Sequence, residues 1–139
     1  GLAAKKYQAV LFSSDTSQVL GLRQYLYHRG WEIAVHHPMG IGSGGFQAVT
    51  DLNYPHNILL ELADEHGLLA VSLFILLVLA AWSARVAAYS GARGESIMVG
   101  GLILFCLLES LGSFDINQDK PLWFALGLAL ALPRLATVP

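Results

Sequence analysis

The residues able to do chemistry in this chain of 139 residues gather in two stretches. One is the glycine-spaced run Pro38-Met39-Gly40-Ile41-Gly42-Ser43-Gly44-Gly45. The other is Tyr54-Pro55-His56-Asn57, running on through Glu61, Asp64 and Glu65 to Gly67. A neutral imidazole such as that of His56 can take a proton from an attacking hydroxyl. Arg23 and Arg29 lie upstream, and a guanidinium binds phosphate through two parallel hydrogen bonds. The backbone N–H groups of Gly40, Gly42 and Gly44 could approach an anion closely. Together these groups describe transfer of something off a phosphate or diphosphate leaving group. Each also has a plainer reading: a histidine that satisfies backbone polar atoms at a helix start, solvated arginines, and a flexible turn.

Other chemistries fit less well. The chain has five histidines but no H-E-x-x-H and no Cys/His pair at ligand spacing, so no metal site is expected. Gly40 to Gly45 formally contains G-x-G-x-x-G, yet the strand before it and the long helix after it that a dinucleotide site needs are missing, and no Lys-Ser/Thr follows as in a P-loop. Gly42-Ser43-Gly44 is a glycine-flanked serine without the G-x-S-x-G elbow. No cofactor is expected. The net charge of −2 gives no case for nucleic acid. The single cysteine, Cys106, sits in an apolar run, so no disulfide forms within the chain.

The elements that must position these groups are helical and largely apolar. The chain is 55% hydrophobic and 13% charged, with mean hydropathy +0.54, where a soluble domain carries about 25% charge. Ser13-Ser14-Asp15 offers caps for a helix reaching about Val35, with Leu22, Leu26 and Ile33 on one side and Arg23, Tyr27 and Trp31 as a neighbouring stripe. Such an amphipathic helix suits the interface of a membrane; an ordinary packed helix is the alternative. His36-His37-Pro38 ends it. Pro55 is compatible with the first turn of the next helix. Wound at about 100° per residue, that helix places His56, Asn57, Glu61, Asp64 and Glu65 on one half and Ile58, Leu59, Leu62 and Ala63 on the other. Three apolar runs follow, at about 67–89, 96–114 and 121–136. Arg85, Arg93 and Arg134 place the connector side in the cytoplasm under the positive-inside rule, and Trp82 and Trp123 fit interface belts. Lys5, Lys6, Arg23 and Arg29 then lie outside. Glu109 is either a functional carboxyl inside the bundle or one snorkelling toward the interface. The expected organisation is an outer segment, 1–55, and a membrane part, 56–139.

Arg23, the Pro38-to-Gly44 loop with Phe46, and the run His56-Asn57-Ile58-Leu59-Leu60-Glu61 ending in Glu65-His66-Gly67 resemble the O-antigen ligase and polymerase family of bacterial membrane glycosyltransferases. The shared pattern is an arginine, a P-x-G-x-G-x-G loop, then H-N-x-x-L-E-x-x-x-E-x-G entering a membrane helix. It covers residues 23–67. The resemblance implies a multi-pass protein of the bacterial inner membrane with its site on the periplasmic face. The donor would be an undecaprenyl-diphosphate-linked glycan. The acceptor would be a glycan or lipid A core, and the transfer metal-independent and inverting, without nucleotide sugar. His56 would match the catalytic histidine and Arg23 a diphosphate-binding arginine; Arg29 has no firm counterpart. Asn57 and Glu61 would orient His56 or bind acceptor hydroxyls.

The fold expected is therefore an all-α integral membrane helical bundle with a periplasmic loop domain. The chain reads as the C-terminal piece of a longer protein whose preceding spans would hold more of the site. A multi-span transporter, with Glu109 and Asp115 lining a polar path, or a non-enzymatic membrane subunit is the rival reading. A soluble helical domain is a third.

Overall fold

The computed structural model describes residues 16–52, 54–88, 93–112 and 119–135. Among them every regular element is a helix: α1 (Thr16–His36), α2 (Gly45–Thr50), α3 (Ile58–Ala88), α4 (Arg93–Ser110) and α5 (Lys120–Leu135). The caps expected at residues 13–15, Lys5, Lys6, Asp115 and most of the loop from Ser113 to Lys120 lie outside the described residues, as does the side chain of Arg134.

Helices α3, α4 and α5 pack against one another around Phe74, Ala81, Val99, Ile103, Leu122 and Leu126. Small residues at Ala81, Ala125 and Ala129 allow the close approach, all three fully buried. Phe74 and Trp123 lock α3 to α5 edge to face, with ring centroids 5.8 Å apart. At the α4–α5 turn the Ser110 hydroxyl meets the Asp119 carboxylate, and the Asp119 carbonyl accepts from the Trp123 N–H at 3.3 Å. The outward surface is apolar: Leu69, Leu73 and Leu76 on α3 and Met98, Phe105 and Leu108 on α4 are exposed. Among the described residues one helix, α3, is long and apolar enough to cross a membrane. Of the three runs that read as spans in the sequence, the second falls in α4, which carries Arg93, Glu95 and Glu109 within its 18 residues. The third falls in the shorter apolar helix Lys120–Ala131.

Helix α3 is not one rod. Gly67 interrupts it at φ 80, ψ 177. Beyond the break, residues 68–88 reach about 30 Å. Before it, residues 58–66 fold over the end of the bundle. Trp82 of α3 lies against Gly100 of α4, and in that antiparallel register a straight helix would carry Asn57 about 20 Å past the end of α4. Instead Asn57 reaches Leu111, just beyond that end.

Helix α1 lies along the same end. Tyr27 touches Leu111, Gly30 lies over Leu60 and Asp64, and Pro38 bonds to Leu68. Its buried side is the one expected from periodicity, with Leu22, Leu26 and Ile33 closing a second small core with Phe46 and Leu52. It ends at His36, two residues before Pro38.

Candidate functional site

The break at Gly67 frees backbone groups that the glycine loop takes up. Ile41 N–H donates to the Asp64 carbonyl at 2.7 Å, Gly42 N–H to the Glu65 carbonyl at 3.0 Å, and Leu68 N–H to the Pro38 carbonyl at 2.9 Å. The Glu65 carboxylate accepts from Gly44 N–H at 2.7 Å. Gly40 N–H is taken by the His37 carbonyl at 2.8 Å. The N–H groups of Gly40, Gly42 and Gly44 are thus committed within the chain, and the expectation that they receive a diphosphate is corrected. Their positive φ angles, 81, 87 and 75, serve a clamp that satisfies the orphaned groups of a broken helix.

The helix start differs from the sequence reading as well. Helix α3 begins at Ile58, so Pro55 and His56 precede it. Asn57 is its cap: Oδ1 accepts from Leu59 N–H at 3.0 Å and from Leu60 N–H at 3.2 Å, while Nδ2 donates to the Leu111 carbonyl at 3.1 Å. With both ends of its amide engaged, Asn57 caps α3 and ties it to the end of α4. His56 adopts a left-handed backbone, φ 56. Its half-buried ring stands 4.4 Å from that of Tyr54, tilted by 56°.

Leu111 is the meeting point. Its carbonyl also accepts the Tyr27 hydroxyl at 3.3 Å. Arg23 lies one turn before Tyr27 on the same stripe of α1, and His56 is the residue before Asn57. One helix end therefore gathers the stripe that carries Arg23 and the turn that carries His56. Arg23 is half-buried and forms no ion pair among the described residues. Arg29 is not gathered with it: its Nη1 holds Glu32 at 2.6 Å, and its Nε is buried without a partner.

The polar half expected of α3 is not solvated. Glu61 is buried in the first turn, where the helix dipole favours a carboxylate. Asp64 is 0% exposed, with neither carboxyl oxygen hydrogen-bonded. A Cβ on Gly30 would come within 3.1 Å of its Oδ2. Burial first, and the Glu65 charge second, push the Asp64 pKa up to about 7. His66 is exposed, 3.4 Å from the Ser43 hydroxyl. Glu109 is exposed on α4. Among the described residues no three His, Cys, Asp or Glu side chains gather in a way that would hold a metal.

Sequence reasoning missed Tyr27, Leu111 and Asp64 as site-building residues. The i, i+4 spacing of Arg23 and Tyr27 was the one available signal for the first. A backbone carbonyl at the end of a distant helix leaves none.

No protein-family model, curated protein or solved structure matches the chain.

Proposed function

We propose that this chain belongs to a membrane glycosyltransferase that moves a glycan from a lipid-linked diphosphate donor to an acceptor hydroxyl. The observation that carries the reading is the shared Leu111 carbonyl, which brings the Arg23 stripe and the His56 turn to the end of α4, beside the membrane-length helix α3. The resemblance of residues 23–67 to the O-antigen ligase and polymerase family supplies the substrate class: an undecaprenyl-diphosphate donor and a glycan or lipid A core acceptor.

In this mechanism His56 accepts the proton of the acceptor hydroxyl. That oxygen attacks the anomeric carbon from the face opposite the diphosphate, and the bond from carbon to diphosphate oxygen breaks with inversion. Arg23 stabilises the charge that develops on the departing diphosphate. A lipid diphosphate leaves without a strong general acid. Helices α4 and α5 serve as further spans beside α3, with Arg85 and Arg93 on the cytoplasmic side and the α1 end of the bundle on the periplasmic face of the bacterial inner membrane.

The test is glycan transfer in membrane vesicles supplied with lipid-linked donor and acceptor. Product that depends on the chain supports the enzyme. Movement of intact donor across the membrane without a new glycosidic bond would replace it with a transporter.

A further inference from the structure

Helix α1 has a second apolar face that the protein leaves uncovered. Leu20 and Val35 are exposed, Trp31 is 64% exposed and Met39, just past the helix end, is 84% exposed. At about 100° per residue, Leu20, Trp31 and Val35 fall on one narrow strip. His28, Glu32 and His36 occupy the next sector of the exposed side, and Leu22, Leu26 and Ile33 the buried one. Exposed Gln24 interrupts that strip and Tyr25 lies within the polar sector, so the division is clearest in the last two turns of α1, at Trp31 and Val35 against Glu32 and His36. A packed surface helix has no need of that division, and exposed apolar strips of this kind mark an interaction surface.

The direction of the strip is set by Tyr27. Trp31 lies one turn after Tyr27 on the same stripe, and the Tyr27 hydroxyl reaches to the Leu111 carbonyl at the end of α4. The strip thus faces the bundle side of α1, while Glu32 and His36 face away. It is also continuous with the apolar exterior of α3. A Cβ on Gly67 would come within 2.6 Å of the Met39 carbonyl carbon, and Leu68 and Leu69, both exposed, follow directly.

From these observations we infer that Leu20, Trp31, Val35 and Met39 rest on lipid at the bilayer surface, so that α1 is an in-plane anchor beside the spanning helix. A tryptophan flanked by aliphatic side chains, with the polar sector of Glu32 and His36 beside it, suits the headgroup–acyl boundary. The anchor holds the glycine clamp, and with it the His56 turn, at the height where the phosphates of a lipid-borne substrate lie. The inference rests on the bilayer reading proposed above.

The experiment is nitroxide accessibility in phosphatidylcholine vesicles containing an anionic lipid. Labels are placed through Val35→Cys, Met39→Cys, His28→Cys, His36→Cys and Leu76→Cys in a Cys106→Ser background. The oxygen-to-nickel accessibility ratio should be several-fold higher at positions 35 and 39 than at 28 and 36, with position 76 also favouring oxygen. Positions 35 and 39 favouring nickel while 76 favours oxygen would overturn the anchor and leave the spanning helix intact. Shielding of 35 and 39 from both reagents would also overturn it, in favour of a protein cover. Nickel access at 76 as well would mean that α3 does not span, which sinks the bilayer reading and the anchor with it.

Discussion

Gly40 and Gly67 meet backbone to backbone: a Cβ on Gly40 would stand 2.7 Å from the Gly67 nitrogen and 2.5 Å from the Glu65 carbonyl oxygen. Both have positive φ. Gly40→Ala or Gly67→Ala should therefore pry the loop from the break, adding the contact with main-chain atoms to the left-handed penalty of about 1–2 kcal/mol. Gly42→Ala meets nothing within 4 Å and carries the left-handed penalty alone. Thermal unfolding of the three variants in detergent should rank Gly42→Ala well above the other two; equal losses would remove the clamp.

His56 should be dispensable for folding and needed for transfer. Asparagine tolerates the left-handed backbone that His56 adopts and cannot take up a proton. His56→Asn should leave protein abundance near normal and lower the transfer rate by about 10²–10⁴-fold, the scale of a positioned base. Asn57→Ala should show the reverse balance, costing about 1 kcal/mol of stability through the lost cap. Product per molecule of inserted protein separates the two, and near-normal specific activity in His56→Asn would exclude the base role.

Arg23→Lys tests the diphosphate contact. An ammonium cannot reproduce the two-pronged fork, and one lost charge-assisted hydrogen bond corresponds to roughly ten- to a hundredfold in rate. Arg29→Lys should be milder, because Arg29 is occupied by Glu32. Equal activities for the two variants would withdraw Arg23 from the site.

Asp64 should make stability depend on pH. Its folded pKa of about 7 lies above the ordinary 3.8. The native chain therefore holds a proton that the unfolded chain releases, and stability falls as pH rises between those two values. The loss is on the order of a few kcal/mol. Asp64→Asn should flatten this dependence and raise Tm at pH 8 relative to the parent. An unchanged pH profile in the variant would show that Asp64 is ionised in the fold.

Much of this was legible from local pattern. Apolar spacing gave the buried side of α1 through Leu22, Leu26 and Ile33, and Pro38 marked its end. The break at Gly67 was not legible, because a glycine between a polar and an apolar helical run reads as tolerated; what makes it a break is the loop at Gly40, distant in the chain. The burial of Glu61 and Asp64 was hidden for the same reason. Their polar arc looks solvent-facing until α1 is laid across it. His56 was identified by type, but its place outside the helix depends on Asn57 being pinned by Leu111, a contact that no periodicity encodes.

The interruption at Gly67 also sets an order of assembly. Residues 58–66 form a helix too short to hold together alone in water, and the break disconnects them from the cooperativity of residues 68–88. They gain order from α1, the glycine loop, the end of α4 and the main core, which Ile58 and Leu62 join. The hairpin of residues 68–88 and α4 can therefore be complete while the His56 turn is still unfolded, and the end that carries His56 closes as a separate, less stable unit. In hydrogen exchange the amides of residues 58–66 and of α1 should open together, and well before those of residues 68–88.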